Sequence, residues 1–333
     1  MKEIIRRHTG SGGIRAALLR LGIALLIMSA GRGFQARADI LYVSSLAGYI
    51  ERVDTSTNTI TTVLNTHGVA VDSLIFAPGD NIVFSVPNAG AIGIFNTDTQ
   101  DLRYVHGFVE PRDITLEPSG TSVLVSDNGD QYVKRVDLTA DSPVPVKLPS
   151  WLDNIDGITY DNAGHLFVVQ SWAGYVAQID PTDGHIIKRL QCGACSFGID
   201  QLDGMTFDPV TGALWVASTT WNGLWEFNTS LNTSTLFAAN KIPSPDGVES
   251  DGAGDIFAAA QGNSYVYEYN IASHTTTQLT SVPFIDDIAP VTGLGSPPAA
   301  TSAVPEPSAM LLLGTVLLYL GVALNRRKLR PGK

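Results

Sequence analysis

The chain has 333 residues, 44% hydrophobic and 16% charged, with a formal net charge of −11. Its length suits one large domain or two ordinary ones. Most Lys and Arg sit at the two ends, so residues 39–304 keep nine of them against thirty Asp and Glu, a net charge of −21. That surplus excludes nucleic acid and anionic lipid as partners of the central part, keeps it soluble, and attracts divalent cations.

Arg6, Arg7, Arg15 and Arg20 make a basic start, and residues 21–30 (LGIALLIMSA) are a short apolar run. Ala36-Arg37-Ala38 then offers the small residues that a signal peptidase accepts. These features predict a signal peptide, with its short helix, over residues 1–38 and cleavage after Ala38. The apolar run is too short for a retained membrane helix.

Internal repeats follow. Residues 41–60 (LYVSSLAGYIERVDTSTNTI) align without a gap on residues 167–186 (FVVQSWAGYVAQIDPTDGHI). Each unit opens on a short segment starting near Asp72, Arg112, Asp156, Asp203, Asp246 or Asp286, at spacings of 40 to 47 residues. Apolar second strands fall at 41–43, 82–84, 123–125, 166–168, 214–216 and 256–258. Third strands end in a turn-forming Asp or Asn at Asp54, Asn96, Asp137, Asp180, Asn228 and Asn270. A Thr-rich or charged strand closes each unit. Four short strands at a period of about 44 residues predict an all-β, six-bladed β-propeller over residues 39–294, with almost no helix in that body. The body starts on a second strand at Ile40 and ends on a first strand at 286–291. The two ends therefore complete one shared blade, which hides the free strand edges.

Cys192 and Cys195 stand in Gln-Cys-Gly-Ala-Cys-Ser, inside the longest repeat. Haem attachment would need His where Ser196 stands, and zinc would need a second ligand pair. In an exported protein the pair predicts a small local disulfide. His67, His106, His165, His185 and His274 are scattered, with His165 and His185 at turns facing solvent. Trp172, Trp215, Trp221 and Trp225 suit inter-blade packing, with sugar stacking as the alternative. No nucleophile elbow, phosphate loop, dinucleotide fingerprint or zinc-protease motif occurs.

The first strand of a propeller blade lines the channel. Asp72, Asp156, Asp203, Asp246 and Asp286 share one repeat position there, and Arg112 takes the sixth. Carboxylates so confined either raise their pKa values or capture a hard cation, Ca²⁺ or Mg²⁺. An Asp before Gly also caps turns, so a purely local role fits the same residues. No cofactor follows with certainty.

Ser244-Pro245-Asp246-Gly247, then Asp251-Gly252-Ala253-Gly254-Asp255-Ile256-Phe257-Ala258, resembles the repeat of NHL and gluconolactonase (regucalcin)-like six-bladed propellers. The resemblance implies one divalent metal held by Glu, Asn and Asp from different blades. Asp246 matches the last of these. The other two positions fall near Asp203 and Asp72, which are Asp instead.

Residues 295–303 (GSPPAATSA) predict a flexible spacer. Val304-Pro305-Glu306-Pro307-Ser308 opens the tail over residues 304–333. The uncharged run 308–324 has the length of a short transmembrane helix, and the basic end 326–333 stays on the cytoplasmic side. Motif, span and basic end in this order resemble the PEP-CTERM sorting signal. The resemblance implies an exosortase-type processing enzyme as partner. It also implies inner-membrane anchoring before processing and cell-surface or extracellular residence afterwards. Two functions fit: a surface or matrix-associated protein that binds a glycan or another protein, and a metal-dependent lactonase-like hydrolase or lyase at the channel mouth.

Overall fold

The computed structural model describes residues 40–191, 201–230 and 232–290. The segments read as signal peptide, spacer and sorting tail, and the cysteine pair, lie outside these residues. Among the described residues, no helix is long and apolar enough to cross a membrane.

The first blade holds β1 (Ile40–Ser45), β2 (Tyr49–Asp54) and β3 (Thr59–Asn65). The second holds β4 (Leu74–Ala77), β5 (Asn81–Val86), β6 (Ala91–Asn96) and β7 (Leu102–His106). The third holds β8 (Pro111–Leu116), β9 (Ser122–Asp127), β10 (Tyr132–Asp137) and the two-residue β11 (Val146–Lys147). The fourth holds β12 (Ile155–Tyr160), β13 (Leu166–Gln170), β14 (Tyr175–Ile179) and β15 (Ile186–Gln191). The fifth holds β16 (Leu202–Asp208), β17 (Ala213–Ser218), β18 (Gly223–Asn228) and β19 (Thr233–Phe237). The sixth holds β20 (Pro245–Ser250), β21 (Asp255–Ala260), β22 (Tyr265–Asn270) and β23 (Thr275–Ser281). The last strand, β24 (Ile285–Pro290), returns to the first blade and pairs antiparallel with β1, with Leu41 opposite Pro290 and Val43 opposite Ile288. The body is thus a six-bladed propeller closed as expected, and its helical content among the described residues is two short 3₁₀ turns.

Local chemistry explains the repeat. The second strands are buried on both faces, as at β9 and β17, and read as continuous Val, Leu, Ile and Ala runs. The Asp or Asn closing each third strand folds the next turn by accepting backbone N–H bonds. Asp54 takes Ser56 and Thr57 at 3.1 and 3.0 Å, and Asn96 takes Asp98 and Thr99 at 3.1 and 2.8 Å. Asp137, Asp180, Asn228 and Asn270 do the same. The core is six apolar clusters, each shared by two neighbouring blades. Leu41, Val43 and Val53 of the first blade meet Phe257, Ala259 and Val266 of the sixth, while Ile50 meets Ile82 and Phe84 of the second. The circle closes through packing as well as pairing.

One charged group is built into this core. Lys134 of β10 is 2% exposed and bonds Asp127 (2.5 Å), Asp130 (3.0 Å) and the Gly107 carbonyl (3.0 Å), with its ammonium 5.3 Å from the Phe108 ring centre. Asp127 also accepts the Val109 and Glu110 N–H groups at 2.9 and 2.7 Å, which ties the third blade to the connection entering it. Removing the cation leaves a carboxylate buried without a counter-charge. Lys134→Ala is therefore expected to lose about 3–5 kcal/mol in urea unfolding. Lys147→Ala, which frees an exposed partner of the same Asp130, should leave the midpoint nearly unchanged. Equal effects of the two changes would contradict this assignment.

Candidate functional site

The channel mouth is built by a repeated irregularity. Pairing of the first strand with the second is interrupted between Pro111 and Ile114, Ile155 and Ile158, Leu202 and Met205, and Pro245 and Val248. The same break occurs on β24, where Ser45 faces Ile285 and Val43 faces Ile288. A bulge of this kind turns side chains out of the ladder. The residues released are Arg112-Asp113, Asp156-Gly157, Asp203-Gly204, Asp246-Gly247 and Asp286-Asp287. Asp72-Ser73 holds the matching place just before β4.

The first member of each pair forms the mouth ring. Arg112 Nη1 bonds Asp72 at 3.0 Å and Nη2 bonds Glu110 at 2.5 Å. Asp203 neighbours Asp246 closely enough for each to act on the other's protonation, and the Gln261 amide bridges Asp246 and Asp286. The sequence-derived set therefore does converge. Asp72, Asp156, Asp203 and Asp246 are half-buried and Asp286 is buried.

The second member forms a deeper tier that the repeat alone did not reveal. Asp113 accepts bonds from Ser73 Oγ (2.7 Å), Ile114 N (2.7 Å) and Ile158 N (2.8 Å). Asp287 accepts from Leu74 N at 3.1 Å, and Glu249 accepts from Thr206 Oγ1 at 2.6 Å. The three carboxyls line a narrow enclosed cavity with Gly204 and Met205. Neighbouring blades are thus joined near the axis by these side chains, the third to the second and fourth, the first to the second, and the sixth to the fifth.

The glycines of this tier are required by space. A Cβ on Gly157 would stand 2.6 Å from the Asp203 carbonyl oxygen, and one on Gly204 2.7 Å from that of Asp246. A Cβ on Gly247 would fall onto the Asp287 carboxylate. None of the three has a positive φ. The repeated Asp-Gly therefore marks close approach of inner strands, and the turn-capping alternative does not apply to it.

Crowding sets the protonation. Loss of solvent pushes Asp72 up to about 6, against the opposing pull of Arg112, and pushes Asp113 up to about 7. Asp156, Asp246, Asp286, Asp287 and Glu249 are driven well above the ordinary range, first by burial and then by neighbouring carboxylates. Asp203 rises too, again through burial.

Other expected residues have different places. Trp215 and Trp225 are buried in inter-blade clusters, and Trp221 packs partly against one. Trp172 is 48% exposed, as is Trp151 at 58%, a residue the repeat did not single out. His165 and His185 are exposed on turns, bonded to Asp161 and Asp183. Among the described residues, only Asp180, Asp183 and His185 bring three metal-type donor atoms within 4.8 Å of one another. They sit on an exposed turn. The ring carboxylates form contacts in pairs and do not make such a group.

No protein-family model matches the chain, and no curated protein matches it in sequence. Solved structures do. The nidogen/laminin complex is 15% identical, with 75% of this chain and 97% of that chain covered at a TM-score of 0.62. A streptogramin B lyase is 17% identical, covering 76% and 84% at 0.57. A catalytically inactive virginiamycin B lyase from Staphylococcus aureus, with quinupristin, is 16% identical, covering 74% and 86% at 0.55. At these identities the likeness is one of fold. The shared fold is the β-propeller.

The raised carboxyls give a pH dependence of definite sign. Each binds its proton more tightly in the folded chain than in the unfolded one, where carboxylates titrate near about pH 4. Their stabilisation is complete below that range and is lost as pH rises through the folded values, about 6 for Asp72 and about 7 for Asp113. The urea midpoint is expected to fall between about pH 4 and pH 7, and Asp113→Asn should flatten that fall. A midpoint that climbs over the window would contradict the crowding.

Proposed function

We propose that this chain is an exported, surface-delivered β-propeller that binds a ligand at its channel mouth. The carrying observation is that the connections at the end bearing the carboxylate ring leave large apolar side chains exposed, Trp151, Trp172 and Phe284 among them. Exposed aromatic groups beside a polar recess mark interaction sites. The fold alone does not choose an activity, since propellers serve many. A neighbour of this fold is known in a complex between two proteins, while others are lyases.

Delivery rests on the two ends. The basic start and apolar run at 1–38, and the Val304-Pro305-Glu306-Pro307 motif with its span and basic end, support export followed by exosortase-type processing at the surface. In a host carrying such an enzyme, the full chain is expected to lose its tail and leave the inner membrane. Replacing Pro305, Glu306 and Pro307 by Ala should keep the unshortened chain in the inner-membrane fraction. Release of the triple variant at the unaltered rate would remove the sorting role.

A second reading, a lactonase-like hydrolase or lyase holding Ca²⁺ or Mg²⁺, is supported by the nearness of Asp203 to Asp246, each of which acts on the other's protonation. Hard oxygen donors suit those ions, but a third donor must join the pair. Calcium titration monitored by calorimetry decides it: saturable binding abolished by Asp246→Ala supports the reading, and no heat at millimolar calcium removes it.

A further inference from the structure

Leu46, Val69, Val109, Trp151, Trp172 and Phe284 all lie in connections that open on the mouth. Phe284 is 66% exposed, the most exposed large aromatic among the described residues. Backbone bonds join these connections into a rim. Leu46 N donates to the Phe284 carbonyl at 2.9 Å, and Val71 N to that of Ser45 at 3.3 Å. Asn128 N reaches Glu110 O at 3.0 Å, Leu152 N reaches Gln131 O at 2.9 Å, and Ser171 N reaches Asn154 O at 2.9 Å. Trp151 and Trp172 therefore flank one sector, and Phe284 with Leu46 and Val69 another.

Inside the rim the charge is mostly negative. Lys241 is the only Lys or Arg in the described mouth connections, and Arg112 on β8 is committed to Asp72 and Glu110. The face thus combines an acidic centre with an apolar border. Each part restricts the occupant. The centre disfavours anionic polysaccharide, and a neutral sugar brings no counter-charge that would let the crowded carboxyls give up the protons burial makes them keep, whereas a cation does. The border is partly aliphatic, and Leu46, Val69 and Val109 gain by excluding water against other apolar groups. A free metal ion would use the centre and none of the border.

We infer that the mouth takes a polypeptide segment that points a lysine or arginine into the carboxylate ring and lays apolar neighbours on the rim. This rests on the mouth being the binding face. A basic side chain carries its charge on a flexible apolar stem, so it can pass the rim before its head meets the ring. The faces of Trp151, Trp172 and Phe284 attract a passing cation as well as apolar contacts. Apolar rim contacts supply area, and the charge selects the partner and its register.

The test uses the full chain and short fluorescent peptides in which a central Lys, Arg, norleucine or Glu is flanked by Leu and Phe, read by anisotropy. The Lys and Arg peptides are expected to bind at least about tenfold tighter than the norleucine peptide, with the Glu peptide weakest. Asp203→Asn with Asp246→Asn should erase that preference. Trp151→Ala with Trp172→Ala should weaken the Lys and norleucine peptides alike. Urea unfolding verifies that each variant is folded. Equal binding of Lys and norleucine peptides overturns the inference. So does binding of a neutral oligosaccharide in place of the peptides. In both cases, loss of that binding in the tryptophan variant leaves the mouth as the binding face. Binding unaffected by the tryptophan changes overturns both.

Discussion

The pairing of β24 with β1 is the constraint from which the rest of this molecule follows. It joins residues from the two ends of the body, Leu41 with Pro290 and Val43 with Ile288, and converts a row of sheets into a ring. A row would leave one apolar blade face and one strand edge uncovered at each end. In the ring every blade buries both faces, and the cluster of Leu41, Val43, Phe257 and Val266 closes the last gap.

Closure also dictates the chemistry at the axis. Six inner strands must converge on a small circle, so their backbones approach to distances that a Cβ cannot enter at Gly157, Gly204 and Gly247. Bulges relieve the crowding and turn two residues per strand toward the axis. Where those residues are acidic, the protein holds carboxyls in a space with little water. They answer by keeping protons, by sharing the Gln261 amide as Asp246 and Asp286 do, and by leaning on Arg112. The stability lost through this crowding is offset by the inter-blade core. The proposed binding role rests on this crowded acidic mouth and the exposed aromatic side chains in the connections beside it.

Much of the fold was legible in the sequence, because strand period, turn chemistry and apolar runs are local. The Asp and Asn that end the third strands fold their own turns, so Asp54 and Asn96 announced themselves. The mouth ring was legible for a different reason: one repeat position carried Asp five times. The deeper tier was hidden. Asp113 and Asp287 follow ring residues directly, and in an unbroken strand they would face the opposite way; only the bulge brings both to the axis. Glu249 comes from another position of its strand and Gln261 from the turn after β21, with no repeat partner of the same kind. The Asp-Gly pairs carried a true signal with two readings, and the close approach of neighbouring backbones separates them. Tryptophan exposure was unreadable as well. Trp172 and Trp215 stand in similar apolar surroundings in the sequence, but one lies on a mouth connection and the other on a central strand buried between two blades.

The most direct test of this account is the protonation of the mouth itself. Carbon-13 carboxyl resonances of the full chain, assigned through single Asp→Asn variants, report each group as pH is raised. The account predicts that Asp72 titrates near 6 and Asp113 near 7, with Asp156, Asp246, Asp286 and Asp287 also above the ordinary range. Titration of all these groups near about pH 4, like free carboxylates, would contradict it.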